Sequence, residues 1–292
     1  MKKFTGVGVA LITPFAKDES VDFEALGCLL QHTQSADFYV VLGTTGEPAT
    51  MSLAERHAVV RYVVAHNPTA KPIVVGIAGN STADVVSTLQ SFDLSGVDAV
   101  LSVVPYYNKP NQEGMFQHFS AVVNHSPRPV ILYNIPGRTG VNMTSETTLR
   151  LAREFGSKIV GIKEASGNLA QVAHILRDRP DGFVVLSGDD NLTLPMMSLG
   201  GDGVISVSVN AFADKFVAMV HSAIEGDFRS AAQINLTLHE VTEMLFQEGN
   251  PCGVKAALAY KDIITNALRL PLVVASQGLY DRIAVQIQKY DL

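Results

Sequence analysis

Lys163 closes an apolar run, Ile159-Val160-Gly161-Ile162-Lys163, that reads as a buried strand. A primary amine is costly to bury, but burial makes it useful. An exposed lysine, with a pKa of about 10.4, is a free amine in only about one molecule in a few thousand at pH 7. Desolvation disfavours the ammonium and can lower that pKa by several units. A buried lysine of this kind can form a Schiff base with a ketone. Strand alternation sets Ile159, Gly161 and Lys163 on one face, with Val160 and Ile162 on the other. Gly161, just below the lysine, is expected to leave room for its side chain. The plainer alternative is a strand-end lysine that reaches solvent or pairs with Glu164.

Three further segments each follow an apolar run. Tyr133 ends one, and a phenol there can relay a proton to or from a carbinolamine; a core tyrosine with a satisfied hydroxyl is the alternative. Arg138 follows in Ile135-Pro136-Gly137-Arg138-Thr139-Gly140. Its guanidinium suits bidentate capture of a carboxylate, against a plain surface arginine. In Gly43-Thr44-Thr45-Gly46-Glu47, glycines let main-chain N–H groups converge on an anion, and Thr44 and Thr45 add hydroxyls. That would cradle the carboxylate of a small keto acid, although the same residues also make an ordinary loop. Pro105-Tyr106-Tyr107-Asn108 sets two tyrosines in a rigid loop, as at an interface or a lid over a site, or simply in a packed loop. Asp189-Asp190 could serve as an acid/base pair or as Mg²⁺ ligands, but it precedes Asn191 and a helical pattern, so helix capping is the expected role. Gly200-Gly201-Asp202-Gly203 precedes a strand and reads as a turn.

The elements that must position these residues recur at a steady interval. Apolar, β-branched runs span 7–12, 38–42, 72–77, 99–104, 130–133, 159–163, 183–186 and 204–207. Several are continuous rather than alternating, as parallel strands covered on both faces should be. Helical patterns lie between them at 22–35, 52–66, 81–95, 114–125, 145–155, 170–177, 192–199 and 213–224. Ser52 with Glu55 is a capping box. Eight strand–helix units of roughly 28 residues each predict an α/β fold, a (β/α)8 TIM barrel, over residues 1–225. Gly6-Val7-Gly8 lacks the glycine fingerprint of a dinucleotide-binding sheet. Beyond Gly226 the alternation stops. Helices at 228–246, 254–266 and 276–290 predict a C-terminal three-helix appendage over 226–292.

Composition narrows the function class. The 292 residues are 47 % hydrophobic and 17 % charged, with net charge -6. No basic run marks a nucleic-acid surface. Mean hydropathy is +0.20, yet every apolar run breaks well short of the roughly 18 residues of a membrane helix. Residues 1–12 lack a signal-peptide pattern, so a cytoplasmic enzyme with no membrane partner is expected. Cys28 and Cys252 show neither a disulfide framework nor metal spacing. There is no His-Glu-x-x-His motif and no Gly-x-Ser-x-Gly elbow.

These blocks, together with Gly161-Ile162-Lys163-Glu164-Ala165, Gly203-Val204-Ile205-Ser206, Asn250-Pro251 and Val254-Lys255, closely resemble the dihydrodipicolinate synthase family, within the pyruvate-dependent class I aldolases. The resemblance runs the length of the chain. It implies a lyase that condenses pyruvate with L-aspartate 4-semialdehyde in diaminopimelate and lysine biosynthesis. Lys163 would form the Schiff base, and Tyr133, Thr44 and Tyr107 would relay protons, Tyr107 from across a dimer interface. Thr45, with main chain at Gly43, Thr44 and Ile205, would hold the pyruvate carboxylate, and Arg138 that of the semialdehyde. No organic cofactor or metal is implied; a homotetramer, a dimer of dimers, is. The related N-acetylneuraminate lyases and keto-deoxy-sugar-acid aldolases share the lysine and the tyrosine, whereas Arg138 and the second threonine resemble the synthase pattern.

One feature departs from members that lysine inhibits. Asn80, Ala49, Tyr106 and Asp84 match the inhibitory pocket, but Leu53 and Arg56 stand where histidines are frequent and Pro48 replaces a small polar residue. A second cation beside the lysine ammonium is unfavourable, so weak or absent inhibition is expected.

Overall fold

A computed structural model describes residues 3–292; Met1 and Lys2, part of the N-terminal segment read above, lie outside the described residues. Eight strands, β1 (Gly6–Ala10), β2 (Phe38–Val41), β3 (Ile73–Gly76), β4 (Ala99–Val103), β5 (Val130–Asn134), β6 (Ile159–Glu164), β7 (Val184–Ser187) and β8 (Gly203–Ser206), close into one barrel in chain order. Each lies within one or two residues of an apolar run in the sequence. Every residue of β1, β2, β5, β7 and β8 is buried. The strands are covered on both faces, which is why they read as continuous rather than alternating.

The helices are α1 (Phe23–His32), α2 (Leu53–His66), α3 (Thr82–Ser91), α4 (Gln112–His125), the single turn α5 (Pro136–Thr139), α6 (Ser145–Phe155), α7 (Leu169–Asp178), α8 (Thr193–Ser198) and α9 (Ala213–Ile224). They are followed by α10 (Phe228–Gln247), α11 (Cys252–Tyr260) and α12 (Gln277–Tyr290). Ser52 and Glu55 form both halves of the expected capping box. The expectation of a helix to residue 266 does not hold, because α11 stops at Tyr260. Ile263 N–H bonds back to the Leu258 carbonyl, Asp262 turns left-handed at φ 55°, and β-branched Ile263, Ile264 and Thr265 follow.

Two compact units make up the chain. One is Pro72–Ile205 with residues 3–5; the other is Gly6–Lys71 with Ser206–Leu292. In the first, β5 and β6 pair in parallel, with Tyr133 opposite Lys163 and Asn134 opposite Glu164. In the second, α10 packs on α9, and α10, α11 and α12 pack on one another. The C-terminal helices thus share a unit with β1 and β2.

Candidate active site

Lys163 is 6 % exposed, on the penultimate residue of β6. Its Nζ lies over the Tyr133 ring, 4.5 Å from the centroid. The in-register pairing of β5 and β6 accounts for this, since side chains opposite each other on adjacent strands share a face. Burial lowers the Lys163 pKa to about 8; the Asp190 charge opposes that shift and the Arg138 charge adds to it. At pH 7 about one molecule in ten then carries a free amine, several hundred-fold more than for an exposed lysine.

A Schiff-base role for Lys163 would use the deprotonated amine, and it predicts a rate of imine formation with a ketone such as pyruvate that rises with pH and levels off above about 8. A stopped-flow pH profile checks this; a midpoint near the ordinary lysine value would contradict it. The stability linkage has a definite sign. The pKa is lower in the folded chain, so between about 8 and the ordinary value the unfolded chain binds more protons and stability rises with pH. Below that window the group costs the fold roughly 3 kcal/mol.

Room for the lysine comes from a different glycine than expected. A Cβ on Gly161 would fall 2.2 Å from Val184 Cγ2, so that glycine admits the neighbouring strand. A Cβ on Gly188, just after β7, would fall 2.9 Å from Lys163 Cε and 3.0 Å from its Cγ. Gly188→Ala should displace the amine and lower kcat by about 10²-fold, the scale expected of a misplacement of about 1 Å. Steady-state kinetics check it; unchanged kcat would show that the lysine has slack.

Asp190 also differs from expectation. α8 begins after Leu192, with no side-chain cap. Asp189 Oδ1 accepts from Asn191 N–H, a local turn, while Asp190 is buried and its charge acts on Lys163. Neither aspartate caps α8, because the chain turns once more before the helix starts.

Arg138 sits exposed in α5, which Gly140 terminates at φ 74°. Ile205 is buried on β8. Tyr107 is 87 % exposed and left-handed at φ 72°, and so is not packed into its loop.

In the other unit, Gly43–Glu47 leaves β2 as a single tight turn. Gly46 N–H bonds to the Gly43 carbonyl, Glu47 N–H to that of Thr44, and Thr13 Oγ1 donates to the Gly46 carbonyl. Thr44 is exposed and Thr45 buried. Asn250 Nδ2 donates to Thr45 Oγ1 at 3.0 Å. Glu47 pairs with Lys255 Nζ at 2.5 Å, with both side chains at most 1 % exposed. Lys255 also donates to the Ala267 carbonyl and lies 4.2 Å from the Phe15 ring centroid. Removing one partner of such a pair strands the other charge in the interior. The Asn250-Pro251 and Val254-Lys255 motifs therefore anchor the threonine turn, a task that their sequence does not disclose.

A family model described as the Dihydrodipicolinate synthetase family matches residues 3–290. The chain belongs to this family. Among curated relatives, the 4-hydroxy-tetrahydrodipicolinate synthase of Parabacteroides distasonis is 50 % identical over 280 residues, 95 % of this chain and 94 % of the relative. Among solved structures, the dihydrodipicolinate synthase of Aquifex aeolicus superposes with a TM-score of 0.94 at 40 % identity, covering 99 % of both chains. The chloride-inhibited dihydrodipicolinate synthase of Acinetobacter baumannii complexed with pyruvate gives a TM-score of 0.94 at 35 % identity, over 98 % of this chain and 99 % of that one. The dihydrodipicolinate synthetase family is enzymatic, and this chain is a lyase with its (β/α)8 barrel.

Proposed function

We propose that this enzyme is a 4-hydroxy-tetrahydrodipicolinate synthase, condensing pyruvate with L-aspartate 4-semialdehyde on the route to diaminopimelate and lysine. The observation that carries the reading is Lys163, buried against Tyr133 with its pKa lowered to about 8. The Lys163 amine attacks C2 of pyruvate. Tyr133, Thr44 and Tyr107 move protons to and from the carbinolamine, which loses water to give the imine. Gly43, Thr44, Thr45 and the main chain of Ile205 hold the pyruvate carboxylate. Loss of a methyl proton gives the enamine, whose carbon attacks the aldehyde while Arg138 holds the second carboxylate. The amino group of the semialdehyde then attacks C2, the ring closes, and Lys163 leaves as the free amine. The sum is one C–C bond, one C–N bond and one water released. No step calls for a metal or an organic cofactor.

The reading includes a homotetramer built as a dimer of dimers, with Tyr107 serving the neighbouring site. The exposed Tyr107 ring and the exposed apolar Leu270 and Val273 support it. Both substrates are small, charged intermediates, which suits a cytoplasmic enzyme. Among the described residues no helix is long and apolar enough to cross a membrane.

The test is turnover of pyruvate with aspartate semialdehyde, set against cleavage of N-acetylneuraminate and keto-deoxy-sugar acids. Condensation with the semialdehyde alone supports the reading; sugar-acid cleavage alone sinks it. Lysine should inhibit weakly or not at all, given Leu53, Arg56 and Pro48. Initial rates measured against added lysine check this, and inhibition at sub-millimolar concentrations would contradict it.

A further inference from the structure

Glu164 follows the nucleophile in sequence, yet no step above uses it. It is 2 % exposed, and alternation along β6 turns it away from the face that holds Lys163. Its carboxylate accepts from Ser166 N–H at 2.7 Å and from Gln171 Nε2 at 3.1 Å. Asn134 Nδ2 bridges both of its oxygens at 3.2 and 3.1 Å. Asn134 is also its partner in register, one rung beyond Tyr133 and Lys163.

The amides around this carboxylate are fixed at their other ends. Asn134 Oδ1 accepts from Met143 N–H at 2.9 Å, and Gln171 Oε1 accepts from Asn142 Nδ2 at 2.8 Å. Turning Asn134 would leave the buried Met143 N–H unpaired, and turning Gln171 would set its NH2 group against Asn142 Nδ2, so both present N–H groups to residue 164. A carboxylate satisfies them, because it accepts at both oxygens and donates nothing. The segment held at Asn142 and Met143 follows directly on the Arg138 turn. One buried side chain thus ties β5, β6, α7 and the base of the Arg138 loop together.

We propose that Glu164 is a positioning residue: its carboxylate fixes the Tyr133–Lys163 rung and the Arg138 loop in a single geometry for reaction. The proposal rests on the reading of Lys163 as the Schiff-base nucleophile. Its consequence is kinetic, because a reacting group misplaced by about 1 Å can cost about 10²-fold in rate.

Two variants test it, with pyruvate and aspartate semialdehyde as substrates. Glu164→Gln sets an NH2 group against amide donors that cannot turn away. Its kcat should fall about 10²-fold while KM for pyruvate stays within about threefold, since different residues hold the pyruvate carboxylate. Glu164→Asp keeps a group that accepts at both oxygens and donates nothing, one methylene shorter. Its kcat should stay at least tenfold above that of Glu164→Gln. A folded Glu164→Gln enzyme with wild-type kcat would overturn the proposal, as would a loss that appears only in KM for pyruvate. If Glu164→Gln does not fold, Glu164→Asp decides. Folded with kcat within tenfold of wild type, it supports the proposal; folded but about 10²-fold slower, it overturns it. Failure of the underlying reading looks different: the unmodified enzyme would then yield no pyruvate adduct at Lys163 on borohydride reduction.

Discussion

Lys163→Met should lose at least about 10³-fold in kcat while its thermal midpoint holds or rises. The activity loss follows from removing the only atom that bonds covalently to substrate in the proposed mechanism. The stability gain follows from burial. At neutral pH the ammonium is held 6 % exposed with its pKa lowered to about 8, so the fold bears a desolvation cost that methionine removes. A lysine retained for packing or pairing would behave oppositely, with lower stability and little kinetic effect. Measuring kcat and thermal unfolding on one preparation separates the two. An active or strongly destabilised variant would contradict the account.

Arg138→Ala should divide the two half-reactions. Imine formation with pyruvate continues, while kcat/KM for aspartate semialdehyde falls about 10²–10³-fold, as when a charge-assisted bidentate pair is lost. A second effect accompanies the first. The Arg138 charge helps to hold the Lys163 pKa down, so its removal should shift the pH profile of imine formation upward. The pairing of these two results is diagnostic, because a surface arginine without a role would move neither. Loss of pyruvate binding with normal dependence on the semialdehyde would put Arg138 at the wrong carboxylate.

Much of this was legible in the chain because the barrel repeats one local pattern. Strands buried on both faces leave continuous apolar runs, and capped helices such as the one opened by Ser52 and Glu55 mark the intervals. Lys163 stood out because an amine at the end of such a run is unfavourable without a purpose. What stayed hidden depends on neighbouring strands and packed segments. Gly161 looked like the space below the lysine, but its missing Cβ admits Val184, and Gly188 on the next connection clears the lysine. Asp190 resembled a helix cap beside Asn191, and only the fold shows it buried with its charge acting on Lys163. Asn250 and Lys255 lie about 200 residues from Thr45 and Glu47, a separation no local pattern spans. The helical pattern runs past the end of α11 because a left-handed Asp262 carries no strong sequence signal.

The central claim is a covalent one, and it has a direct test. The enzyme is incubated with pyruvate, reduced with borohydride, and analysed by intact mass and peptide mapping. The account predicts one stable pyruvyl adduct per chain, on the peptide that contains Lys163 and absent from Lys163→Met. A folded protein that gains no mass, or gains it on another lysine, would contradict it.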